Sequence, residues 1–263
     1  MARPRVGIIG CGAIGSYIAK AIDRKLVDVD LVIVFDVDSK RAEELVKKLN
    51  NIKPRVAKSI NEIISEDIDI VVEVASQEAV KRYAVDILRS GKNLIVMSTG
   101  ALLNEDLLKN IIRVAREKNV KIYIPSGAIG GLDALKASSI IGIEELVLTT
   151  TKNPKALGLG NVDKPTVIFD GDAEEAVRRF PLNINIAASI ALAAGKKPRV
   201  RVVADPNVDE NIHTIYAKGS FGEITIVMKN RKLDESPRTS LIAALSVIQL
   251  LKQLSDEVII LGT

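Results

Sequence analysis

The sequence predicts an α/β fold built on a parallel sheet, followed by a smaller α+β domain whose sheet is partly antiparallel. Three observations carry that prediction. Over the first half of the chain, short β-branched apolar runs alternate with segments of helical period. The first run, Val6 to Ile9, leads into Gly10-Cys11-Gly12-Ala13-Ile14-Gly15. Beyond Pro125 the alternation breaks, and the last two strand-like runs are joined by a glycine-bearing loop of hairpin length.

Composition sets the bounds. The chain has 263 residues, 47% of them hydrophobic, enough for a buried core and for one large or two modest domains. Lys+Arg 37 and Asp+Glu 33 are interspersed and leave a net charge of +4. This reads as a mildly positive surface suited to small anions, with no basic run to motivate nucleic-acid binding. The opening Met1-Ala2-Arg3-Pro4-Arg5 leaves no room for the apolar segment of a signal peptide. No apolar run approaches the roughly eighteen residues that span a bilayer, so a cytoplasmic protein without a membrane partner is expected. Cys11, the only cysteine, excludes an intramolecular disulfide and reads as a small filler rather than a nucleophile.

Each element follows in order. In the glycine run, Gly10 permits a tight strand-to-helix turn, Gly12 lets the backbone approach a pyrophosphate, and Gly15 lets the helix pack close against the strand. The N–H groups opening the helix, with Ala13 and Ile14, then face the phosphates. This is the signature of a Rossmann dinucleotide-binding domain. The helix spans Ala13 to Lys25, with Ile14, Ile18 and Ile22 on one face. A second apolar run, Leu31 to Phe35, ends in Asp36, about twenty residues past the last glycine, where a carboxylate accepts the ribose hydroxyls. The cofactor expected is therefore NAD, with some use of NADP because Lys40 and Arg41 stand nearby. The alternative for Asp36 is a structural cap on the strand end.

Arg41 to Leu49 is a second helix and Arg55 to Ala57 a short strand. Ile70 to Val74 is an apolar strand interrupted by Glu73, and Gln77 to Arg89 is a helix ended by Gly91. Asn93 to Met97 is a strand, Asn104 caps a helix through Glu117, and Lys121 to Ile124 is the last strand of the series. Strands separated by helices pair in parallel with right-handed crossovers, and their ligand lies beyond the carboxyl ends. Three stretches should meet it there: Val74-Ala75-Ser76-Gln77, Ser98-Thr99-Gly100-Ala101 and Pro125-Ser126-Gly127-Ala128. Ala75, Ser76, Thr99 and Gly100 are the contacts expected in the first two, although each stretch could equally be an ordinary strand-to-helix turn.

The second domain begins at Pro125, with Ser126 to Gly131 leading into a helix over Leu132 to Ser138. Strands are expected at Glu145–Thr151, Thr166–Asp170, Arg199–Ala204, Ile212–Ala217 and Glu223–Met228, and helices at Ala173–Phe180 and Ile184–Ala194. From about Thr239 to Leu254 runs a long helix whose stripe of Leu241, Leu245, Ile248 and Leu251 should return to cover the first domain. The domains expected are 1–124 completed by 238–263, and 125–237 for catalysis and oligomerisation.

The only histidine, His213, shares a strand face with Asn211 and Ile215. Beside Asp209 or Glu210 its tautomer would be fixed and its basicity raised, which suits a general base. The alternative is an imidazole satisfied on the sheet surface. Asn183 and Asn185 stand at a helix start, where one can cap and the other can bond a cofactor carboxamide or a substrate carboxylate. One His, one Cys and no HExxH leave no metal site, and no G-x-S-x-G supports a hydrolase.

Together, the glycine turn, Val74-Ala75-Ser76-Gln77, Ser98-Thr99-Gly100-Ala101, Pro125-Ser126-Gly127-Ala128-Ile129-Gly130-Gly131, Asn183-Ile184-Asn185-Ile186-Ala187 and Asn211-Ile212-His213 resemble the L-aspartate dehydrogenase family. The resemblance covers nearly the whole chain and is most specific in the last three motifs. It implies NAD(P)-dependent oxidation of L-aspartate to iminoaspartate, which hydrolyses to oxaloacetate and ammonia or feeds NAD biosynthesis, in a dimeric enzyme. It implies a catalytic role for His213, and cofactor contacts near the nicotinamide for Ala128 and Asn185. The substrate's two carboxylates need positive partners, for which the turn containing Ser126 and Gly127, Lys152 and Lys136 are the candidates. The alternatives are a homoserine dehydrogenase or dihydrodipicolinate reductase relative, and a regulator that senses NAD(H) without turnover.

Overall fold

A computed structural model describes residues 3–180, 185–234, 236–255 and 258–259. Its contacts define two compact units: one runs to Pro125 and resumes at Ala244, the other is Ser126–Ala243.

The first unit alternates strand and helix: β1 (Arg5–Ile9), α1 (Ala13–Asp23), β2 (Asp30–Phe35), α2 (Ser39–Lys47), β3 (Arg55–Val56), α3 (Ile60–Ser65), β4 (Ile70–Glu73), α4 (Gln77–Arg89), β5 (Asn93–Val96), a 3-10 turn at Thr99–Leu103, α5 (Glu105–Lys118) and β6 (Ile122–Tyr123). The strands form one six-stranded sheet in the order β3-β2-β1-β4-β5-β6, every pair parallel. The order reverses at β1, so a ligand crevice is expected beyond the carboxyl ends of β1 and β4. Sheet strands with helices on their faces are buried on both sides, which is why Val6, Ile8, Val71, Val72 and Ile95 are uninterrupted apolar runs without solvent exposure. Caps set the helix starts: the Ser76 hydroxyl accepts from Ala79 N–H at 3.1 Å for α4, and Asn104 Oδ1 accepts from Leu107 N–H at 2.8 Å for α5. The helix α3 was not expected; it has fewer than two turns and only Ile63 buried, too little for a periodic signal.

In the second unit come α6 (Leu132–Ser138), β7 (Glu145–Lys152), β8 (Thr166–Gly171), α7 (Ala173–Arg179), α8 (Asn185–Ala194), β9 (Arg199–Ala204), β10 (Asn211–Gly219), β11 (Gly222–Asn230), β12 (Lys232–Leu233) and β13 (Ser236–Ser240). Five strands make a mixed sheet in the order β11-β10-β7-β9-β8, in which β7 and β9 are parallel and the other neighbours antiparallel. The hairpin between β10 and β11 turns on Ser220 and Phe221 alone, because both strands extend to the Gly219–Gly222 pair and Gly222 takes φ +114°. One sheet face is buried through Leu146, Leu148, Thr150 and Lys152 of β7 and Asn211, His213, Ile215 and Ala217 of β10. The other, with Thr149, Thr151, Thr214, Tyr216 and Val227, is half-buried to exposed.

The last helix, α9 (Leu241–Ser255), joins the first unit's core through Val247 and Leu251, both fully buried in one cluster with Val6, Ile8, Ile18 and Leu31. The expected stripe is thereby corrected. Leu245 is 42% exposed, and the inward face is Ala244, Val247 and Leu251. The segment is apolar nearly all round, so spacing alone offers several stripes, and small Ala244 allows the closer approach.

Candidate active site

The glycine turn lies beyond the carboxyl end of β1 in the first unit. Gly10 has φ +102°, and a Cβ there would lie 2.8 Å from the backbone of Ala75, so only glycine fits between the ends of β1 and β4. A Cβ on Gly15 would stand 2.0 Å from the Gly10 carbonyl oxygen, so this glycine packs α1 onto the turn itself. Gly12 is different: it takes φ −73° as the N-cap of α1, makes no side-chain cap, and a Cβ there would meet nothing within 4 Å. The first-turn N–H groups at Ala13 and Ile14 thus face room for an anion, and the turn fits a dinucleotide pyrophosphate. Cys11 is buried, and burial together with the Asp36 carboxylate pushes its thiol up to about 12, which excludes it as a nucleophile at neutral pH.

Asp36 closes the turn. Its Oδ2 accepts from Cys11 N–H at 2.8 Å and its Oδ1 from Asp38 N–H at 2.9 Å. Both the structural and the binding expectation fit this geometry, because each carboxylate oxygen keeps a lone pair for a hydroxyl. Asp36 lines an open cleft with Gly10, Gly12, Arg41, Ala75 and Tyr83. Arg41 is ion-paired with Asp38 at 3.4 Å while largely exposed.

Glu73 is the residue that sequence reasoning passed over. It is 2% exposed at the end of β4. Its Oε1 accepts from Ala75 N–H (2.8 Å), Ser76 N–H (3.0 Å) and the Ser98 hydroxyl (2.8 Å), and its Oε2 from Ser98 N–H (3.0 Å). A lone charge inside an apolar strand was the available signal, since a buried carboxylate must be hydrogen-bonded. The same bonds draw Ser98 inward, and Thr99 and Gly100 are buried in the 3-10 turn that follows, outside the cleft that Ala75 and Ser76 line.

The second unit holds a polar cluster of its own. His213 is 2% exposed, opposite Thr150 in the β7–β10 register, with Nδ1 3.1 Å from Thr150 Oγ1. One step past the Ile212–Thr151 pair stand Asn211 and Lys152, both buried. Asn211 Nδ2 donates to Ser240 Oγ at 3.3 Å, whereas its Oδ1 has no partner among the described residues. Burial and the Lys152 charge push His213 down to about 3; burial and the Lys232 charge push Lys152 down to about 8. The expectation that Asp209 or Glu210 raises the basicity of His213 is therefore overturned: its partner is a hydroxyl and its charged neighbour a cation.

Ser126, Gly127 and Ala128 are half-buried ahead of α6, and Gly127 has φ +64°. The Ala128 carbonyl accepts from Asn230 Nδ2 at 2.7 Å, and a Cβ on Gly131 would lie 2.2 Å from Ile226 Cδ1, so this turn rests on β11. Asn185 opens α8 and is half-buried, while Asn183 lies outside the described residues. Lys136 is exposed on α6, which leaves Lys152 as the buried cation of the pair. Among the described residues no group of His, Cys, Asp and Glu is placed to hold a metal, and no helix is long and apolar enough to cross a membrane.

Comparison with known proteins supplies the remaining observations. A family model described as aspartate dehydrogenase, C-terminal, matches residues 133–254, and one described as homoserine dehydrogenase, NAD binding domain, matches residues 10–125. An L-aspartate dehydrogenase of Archaeoglobus fulgidus is 42% identical over 97% of this chain and 99% of its own. One of Methanothermobacter thermautotrophicus is 41% identical over 96% of each. The crystal structure of aspartate dehydrogenase from Thermotoga maritima superposes with a TM-score of 0.80 at 30% identity, covering 98% of this chain and all of that one. A myo-inositol dehydrogenase from Lactobacillus casei shares the fold at 14% identity, with a TM-score of 0.58 over 88% of this chain and 76% of its own.

Proposed function

The chain belongs to the L-aspartate dehydrogenase family, and from that premise we propose that it oxidises L-aspartate to iminoaspartate with a nicotinamide nucleotide, water then releasing oxaloacetate and ammonia. The observation that carries the reading is the buried cluster of His213, Lys152 and Asn211, in the part of the chain that the aspartate dehydrogenase model covers.

When bound, the nicotinamide supplies the hydride acceptor. The glycine turn, Asp36, Ala75 and Ser76 would hold the nucleotide, and the family resemblance gives Ala128 and Asn185 the contacts near its nicotinamide. His213 is neutral at physiological pH. In the tautomer whose Nδ1–H donates to Thr150, Nε2 is left to accept a proton from the substrate amine or the attacking water. Lys152 takes a substrate carboxylate, with the N–H groups of the turn holding Ser126 and Gly127 as the second anion site. Burial is the larger cause of His213's weak basicity, and an anion beside Lys152 offsets only the second, the Lys152 charge.

NAD is the preferred cofactor, because Asp36 repels a 2′-phosphate, and NADP is also used, because Arg41 in the same cleft can turn from Asp38 to that phosphate. The enzyme is a homodimer through the half-exposed face of its five-stranded sheet. That face carries Thr149, Thr151, Thr214, Tyr216 and Val227 on β7, β10 and β11, with the charged Glu145, Lys218, Lys229, Arg199 and Arg201 around them.

Recording NADH absorbance as the purified protein meets NAD and L-aspartate tests the reading. Formation of NADH with aspartate, and its absence with homoserine, is expected. Tight NADH binding without turnover would instead identify a nucleotide sensor.

A further inference from the structure

The mechanism above leaves the buried Glu73 carboxylate unused. It lies between the ends of two other strands, paired with Ile9 of β1 and Val96 of β5. Its bonds reach in two directions: to the amides of Ala75 and Ser76 in the loop after β4, and to the amide and hydroxyl of Ser98 after β5. Three of the four donors are backbone N–H groups that cannot accept in return, so the arrangement suits the ionised form. Burial pushes the carboxyl upward and these bonds oppose it.

The loop it holds is functional ground. Ala75 and Ser76 line the cleft with Gly10, Gly12 and Asp36, and the Ala75 backbone is the wall against which Gly10 fits. A displaced Ala75 would therefore displace the glycine turn, and Ser98 is tied to the same carboxylate from the other side. Without the carboxylate, these buried N–H groups would need water or a shifted backbone.

We propose that Glu73 is a positioning residue for the nicotinamide nucleotide, its carboxylate fixing the backbones of Ala75, Ser76 and Ser98 and with them the shape of the cleft. The proposal rests on the nucleotide-binding reading of that cleft. The two fail differently: a wild-type protein that does not bind NADH sinks the reading itself, whereas the proposal is judged on variants of a protein that does.

Three variants of the full chain grade the contacts. Ser98→Ala removes only the hydroxyl bond. Glu73→Gln keeps an oxygen for the three bonds at Oε1 but sets an amide N–H against Ser98 N–H. Glu73→Ala removes all four. NADH affinity by fluorescence titration, KM for each substrate, kcat and thermal midpoint are measured together. NADH binding is expected to weaken in the order Ser98→Ala, Glu73→Gln, Glu73→Ala, by about tenfold for the glutamine. KM for NAD should rise alongside, while KM for aspartate at saturating cofactor stays near the wild-type value. Should Glu73→Ala fail to fold, the other two variants still decide. Glu73→Gln and Ser98→Ala proteins that melt earlier yet bind NADH like wild type would make the carboxylate a stability element only and overturn the proposal.

Discussion

At the scale of single residues, His213 shows how much a side chain's chemistry depends on a neighbour from elsewhere in the chain. Its folded-state affinity for a proton is far below the ordinary 6.5, mainly through burial and then through Lys152. Between about 6.5 and about 3 the unfolded chain binds a proton that the folded one refuses, so stability falls as pH drops through that window. His213→Asn should flatten part of that slope in thermal melts from pH 7 to pH 4. The same variant and His213→Ala should cut aspartate turnover by about a hundredfold to ten-thousandfold with NADH affinity retained, because the proposed base is lost and the glycine turn untouched. That an imidazole stood in an amide-bearing strand was legible, His213 being the sole histidine. Its partners were not: Thr150 and Lys152 sit on a strand about sixty positions earlier, and strand register is a tertiary fact. Lys152 invites its own test. Lys152→Met should raise KM for aspartate far more than KM for NAD, and equal rises in the two would remove it from the carboxylate site.

Among the elements, those with strong period were readable and those set by packing were not. The parallel strands could be read because a buried strand is a continuous apolar run, and the helix starts because Ser76 and Asn104 are capping residues. The short α3 and the β12–β13 pair carry too few residues for a pattern, and α9 carries too many apolar ones. Leu251→Ala should cost about 2–5 kcal/mol in chemical denaturation, as expected for a buried leucine. Leu245→Ala should cost far less, about 0.5 kcal/mol, since the residue is 42% exposed. Reversal of that ranking would restore the face expected from spacing alone. In the glycine turn, Gly12→Ala meets no protein atom within 4 Å and adopts an ordinary φ, so the variant should melt no lower than wild type. NADH binding should nevertheless weaken, because what the added methyl meets is the ligand.

For the whole molecule, the proposed homodimer would have the half-exposed sheet face at its interface. Sedimentation should give twice the 28.4 kDa chain mass, and Val227→Glu, which places a charge on that face, should shift the population toward the single chain. The split into a nucleotide unit and a second unit has a consequence in time. The first unit's sheet is complete in sequence by Tyr123, but Val247 and Leu251, which cover Val6, Ile8 and Leu31, follow the whole second unit in the chain. A nascent chain that has reached Pro125 holds every strand of its sheet and still lacks part of its roof. It must wait for the entire second unit to be translated before that apolar surface is covered, a period in which chaperone binding and proteolysis compete with folding. Ribosome-stalled chains ending at Pro125 should accordingly be cleaved readily by added protease, and protection should appear only when α9 has emerged.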